Sequence, residues 1–101
     1  MDNLYHLLQK IKLNPYIYLG KKSLALLYAF INGYKSYEEE QSDIIPIPDC
    51  LDGFQSYVQK KYNIYTDHNW ARIIDFFSND DADAFDCFYQ LLEDLLNKKS
   101  R

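Results

Sequence analysis

The stretch Ser23-Leu24-Ala25-Leu26-Leu27-Tyr28-Ala29-Phe30-Ile31-Asn32-Gly33-Tyr34 decides the fold, because it contains no charged residue. It opens on an unbroken apolar run, Leu24 to Ile31, rich in Leu and Ala with one β-branched residue, which favours helix. Wound as a helix, the run is apolar on almost every side and must be buried or lie in a membrane. The run is far shorter than the about 20 residues needed to cross a bilayer. The reading is therefore a central core helix over residues 23–41, capped by Ser23 and running out through the polar residues Lys35 to Glu40. Gly33 falls inside it, at a cost of about 1 kcal/mol relative to Ala. The expectation is that another backbone or ring approaches there.

The neighbouring segments read as amphipathic helices with one apolar face each. Asp2 caps a first helix over about 3–12, with Leu4, Leu7, Leu8 and Ile11 on one face. Asn14-Pro15 ends it, since the residue before proline is driven out of the helical region. Tyr16 to Leu19 then form an apolar connection expected to pack onto the core. Two prolines keep residues 42–50 extended, with Ile44, Ile45 and Ile47 turned towards the bundle. A third helix follows over about 51–62 and stops at Asn63. A fourth is capped by Thr66 or Asp67 and carries Trp70, Ile73, Ile74 and Phe77 inward. A fifth begins at Asp80-Asp81 and carries Phe85, Phe88, Leu92 and Leu95. The expected fold class is all-α: one domain, a bundle of about five helices around the helix at 23–41. The competing expectation is a short β-pairing of Tyr16–Leu19 with Ile44–Ile47 or Ile64–Tyr65.

Composition narrows the function. A chain of 101 residues suits one domain that buries a core without metal or disulfides. Two cysteines, Cys50 and Cys87, make no disulfide framework, and no charged-then-apolar leader opens the sequence. The expected compartment is a reducing cytoplasm. Charge is segregated: residues 1–36 carry +4, residues 37–59 carry −6 with no Lys or Arg, and residues 60–101 carry −2. A concentrated acidic segment disfavours nucleic acid and suits a basic protein partner. Ten tyrosines among 17% aromatic residues fit core rims and protein interfaces alike.

Motifs for chemistry fail on spacing. Gly20-Lys21-Lys22-Ser23 lacks the glycine and the Ser or Thr that a phosphate-binding loop places around its Gly-Lys, leaving a helix start able to hold only a stray anion. Counted from Asn79, a calcium loop would need glycine at Ala84 and glutamate at Gln90. His6, Cys50, His68 and Cys87 show no metal-ligand spacing. No residue set stands out for catalysis, and no cofactor is expected.

Asn14-Pro15-Tyr16-Ile17-Tyr18-Leu19-Gly20-Lys21-Lys22-Ser23-Leu24, followed by Leu27, Phe30-Ile31 and Gly33-Tyr34, resembles the opening of a family of small bacterial proteins. Trp70-Ala71-Arg72-Ile73-Ile74, Phe76-Phe77 and Ala84-Phe85 through Leu92 resemble its ending. Members are similar to immunity proteins of polymorphic and contact-dependent growth-inhibition systems. That resemblance implies binding to a cognate toxin domain, expected to be a basic nuclease, without nucleic acid or membrane as partner. The segment outside the resemblance, residues 37–52, supplies the candidate partner-binding residues Glu38, Glu39, Glu40, Asp43, Asp49 and Asp52, with Tyr34 and Tyr37 beside them. Asp80, Asp81, Asp83 and Asp86 form a second acidic cluster, two of them explained by helix capping. The alternative is a small adaptor that binds a cellular partner or itself through tyrosines.

Overall fold

The computed structural model describes residues 2–41 and 48–100, so the expectations for Ile44, Ile45, Ile47 and Asp43 lie outside it. The described residues are all-helical: α1 (Asn3–Leu13), α2 (Pro15–Leu19), α3 (Leu24–Gln41), α4 (Phe54–Tyr62), α5 (Trp70–Phe76) and α6 (Asp81–Lys99). Their buried apolar side chains make one continuous core.

Local signals set most boundaries. Asp2 caps α1, its carboxylate accepting the Tyr5 N–H at 2.8 Å. Asn63 stops α4 in the left-handed region, at φ 56°. Pro15 ends α1 and also opens α2, where a missing N–H costs nothing and the fixed φ is already helical. The connection at 16–19 is thus a helix, which removes the β-pairing expected of it; Gly20 closes it at φ 83°. It packs down only at its ends: Pro15 is buried and Leu19 rests against the core, while Tyr16 and Ile17 are 68% and 77% exposed. Asn69 caps α5 in place of Thr66 or Asp67, accepting the Arg72 N–H at 2.9 Å.

The centre of the bundle is α6, a correction to the expectation for residues 23–41. Ala84, Phe85, Phe88, Tyr89, Leu91, Leu92 and Leu95 are all buried on α6, which packs against α3, α4 and α5. The Tyr89 hydroxyl donates to the Leu8 carbonyl at 2.7 Å and ties α1 to the same helix. By contrast α3 buries only Leu24, Leu27 and Ile31. Ala25 and Ala29 face outward at little cost, because a methyl group offers little area to hide. Leu26 is exposed beside them. Nothing approaches the Gly33 position within 4 Å, so no close contact requires that glycine.

The aromatic part of the core is centred on Trp70, whose ring lies 5.0 Å from Phe54, 5.0 Å from Phe88 and 5.1 Å from Tyr28 between centroids. Such edge-on and offset contacts add to the burial itself. Phe76 and Phe77, in contrast, stay exposed at the end of α5, where Phe77 stacks on Tyr62 at 4.6 Å. Half the tyrosines, at positions 5, 28, 34, 57 and 62, line the core rim. Among the described residues no helix is long and apolar enough to cross a membrane.

Candidate partner interface at the acidic end of α3

The last turns of α3 carry Tyr34, Tyr37, Glu38, Glu39 and Glu40. A helix C-terminus is electronegative and favours lysine or arginine. The ends of α1, α4 and α6 obey that rule with Lys10 and Lys12, Lys60 and Lys61, and Lys98 and Lys99. The end of α3 has no base in its last turn and three consecutive glutamates instead. Helix stability therefore opposes this composition.

The predicted surface divides in two. Successive helical residues are about 100° apart, so Glu38, Glu39 and Glu40 fan around the axis and share no single face. Tyr34 and Glu38 lie one turn apart on the same side of the helix. Burial and the nearby Glu38 and Asp2 carboxylates raise the Tyr34 pKa, so the phenol stays protonated. Tyr37, 63% exposed, lies round the helix with Glu40, a turn further on.

Asp49 and Asp52 meet this end of α3 from the turn before α4. The Asp49 carboxylate accepts the Leu51 N–H at 2.8 Å and pairs with Lys35 of α3 at 3.1 Å. It is half-buried and committed to holding the turn. Asp52 is exposed, while its backbone carbonyl accepts from the Lys99 ammonium at the end of α6. Tyr37, Glu38, Glu39, Glu40 and Asp52 thus keep exposed side chains, and Tyr34 and Asp49 are half-buried in the fold. Cys50 lies buried beneath the turn; burial first, then Asp2 and Asp49, push its thiol up to about 12. It is a neutral core residue at physiological pH.

The second acidic cluster has structural employment at all four positions, two more than capping alone predicts. Asp80 caps α6 through the Asp83 N–H at 2.7 Å, and Asp83 accepts the Asn79 N–H at 2.9 Å. Asp86 pairs with Lys22 at 2.7 Å. Asp81 reaches across to α3, where it accepts the Leu24 and Ala25 N–H groups at 3.0 and 3.2 Å. Burial alone would raise its pKa, but the hydrogen bonds from Ser23, Ala25 and Leu24, with Lys21 nearby, hold it below the usual carboxylate value. The anion place that Gly20-Lys21-Lys22-Ser23 offers is therefore filled from within.

Between α3 and α5 lies an open depression of about 470 Å³ lined by Tyr28, Arg72, Asp75 and Asp81 among others. Its Asp81 carboxylate is the one engaged by α3. Cys87 is half-buried, its Sγ 3.6 Å from the Tyr62 hydroxyl, an arrangement that joins α6 to α4. A feature missed from sequence is the exposed corner between α1 and α2, with Leu13 80% exposed beside Tyr16 and Ile17. Its signal is the Asn14-Pro15 junction, which ends α1 at Leu13 and opens α2 at Pro15.

Compared with protein-family models, curated proteins and solved structures, the chain finds no match.

Proposed function

We propose that this chain is an immunity protein that binds and neutralises a cognate bacterial toxin domain, a nuclease with a basic active cleft, through the acidic end of α3. The observation that carries the reading is the glutamate-rich last turn, whose charge works against the helix that bears it. Residues kept against local stability mark positions where function overrides packing. Clustered carboxylates speed approach to a basic surface, and the exposed Tyr37 ring supplies area to bury once there. A cleft that must hold phosphate is basic, so the same groups compete with its nucleic-acid substrate. The chain acts by occupation and not by catalysis.

The test is capture of the toxin domain from the protein's own cells at low and high salt, in parallel with a Glu38→Lys/Glu39→Lys/Glu40→Lys variant. Recovery of one basic toxin-like domain by the unaltered chain, weakened by salt and lost in the variant, supports the reading. Equal recovery by both removes the acidic end from the interface.

A further inference from the structure

We propose that the corner between α1 and α2 docks the acidic end of α3 of a second copy of this chain, so that copies associate head to tail. Leu13, Tyr16 and Ile17 are 80%, 68% and 77% exposed within five residues of chain; Tyr65 and Phe76 are as exposed, but they have no lysine beside them in sequence, whereas Lys12 adjoins Leu13. Side chains exposed to that degree have no walls around them to grip a narrow peptide. They suit a broad facing surface.

Charge selects which surface. Residues 3–36 contain no Asp or Glu, and Lys10, Lys12 and Lys21 are exposed around the patch. The carboxylates brought near it from α6 are already engaged, Asp86 by Lys22 and Asp81 by the start of α3. The other pole of the molecule is the acidic end of α3. Asp2, at the start of α1, lies beside Tyr34 and Cys50, whereas the end of α1 leads through α2 into the start of α3. The two poles therefore sit at opposite ends of a helix about 27 Å long. Pairing two corners, or two acidic ends, sets like charges face to face. Corner against acidic end brings Lys10 and Lys12 towards the glutamates that ring the tip of α3, met end-on, and Leu13, Tyr16 and Ile17 towards Tyr37 on the side of Glu40. Because the contact is heterologous, each pair leaves one corner and one acidic end free, and growth continues into short chains.

This inference concerns the chain alone and goes beyond the toxin reading, although both use the acidic end. Association and toxin binding exclude each other.

Sedimentation of the purified chain over a range of concentrations tests it. At low salt the mean mass is expected to climb above 12.0 kDa with concentration, and to return there near 1 M salt, where the screening length is about 3 Å. Lys10→Glu/Lys12→Glu and Glu39→Lys/Glu40→Lys each weaken association about tenfold or more; all four positions are exposed, and because the first pair also removes favourable charge from the end of α1, circular dichroism confirms that each variant is folded before it is compared. An equimolar mixture of the two variants associates again, since a reversed corner meets a reversed end. Ile17→Ser, which keeps every charge, weakens association as well. A chain that stays at 12.0 kDa throughout, reversed variants that associate like the unaltered chain, or a mixture that stays monomeric each overturn the proposal. The Lys10→Glu/Lys12→Glu variant leaves the acidic end intact, so its loss of association with toxin capture retained separates this proposal from the toxin reading.

Discussion

The two ends of α3 are built on opposite principles. At its start, Ser23 accepts the Leu26 N–H at 3.1 Å and Asp81 accepts those of Leu24 and Ala25, so the orphan donors of the first turn are satisfied by side chains from two helices. At its finish, three glutamates crowd an electronegative terminus. One end is optimised for the fold, and the other carries charge that the fold does not need. On the proposed function the contrast separates stability from recognition within one helix, and it can be broken by substitution.

The largest expected effect lies in what both ends rest on. Phe88→Ala empties the stack that joins α6 to Trp70 and Phe54 and should cost about 3–5 kcal/mol, measured by urea unfolding. At the start of α3, Asp81→Ala removes a cap and strips the buried Ser23 hydroxyl of a partner, costing about 1–2 kcal/mol. The pH dependence has a definite sign. A carboxylate whose folded pKa lies below its ordinary 3.8 stabilises fully above that value, and the stabilisation is lost as pH falls through the folded pKa. Acid titrations of the unaltered chain and of Asp81→Asn should therefore diverge above pH 3.8 and converge below it.

At the finish of α3 the sign reverses. Glu38→Lys/Glu39→Lys/Glu40→Lys should leave thermal stability unchanged or raise it by about 1 kcal/mol, while abolishing partner capture. Loss of stability there would show that the glutamates serve the fold, and the contrast between the ends would disappear. The smallest effect is at Gly33, open on all sides: Gly33→Ala should stabilise by about 0.5–1 kcal/mol in thermal unfolding.

What was legible in the sequence follows the same division. Asp2, Ser23 and Asn63 were readable because a cap or a left-handed stop acts within four residues of the group it serves. Pro15 is legible as a terminator only, since its second role depends on the five residues after it also closing at Gly20. The Asp81 cap was invisible because its partners lie 56 and 57 residues away in the chain. Likewise the centre of the bundle could not be told from apolar content alone. The run at 24–31 is the more apolar segment, but α6 places larger rings and leucines on one face, and area buried outweighs the count of apolar letters. At the proposed interface, Tyr37, Glu38, Glu39, Glu40 and Asp52 were legible as exposed groups, whereas Asp49 needed the position of Lys35 to be recognised as a brace.

The most direct test of the account is side-by-side capture from the protein's own cells by the unaltered chain and by the triple glutamate-to-lysine variant, at low and high salt. The account predicts one basic toxin domain held by the unaltered chain, released as salt rises and missing from the variant. A toxin domain held equally by both, or no toxin domain at all, would contradict it.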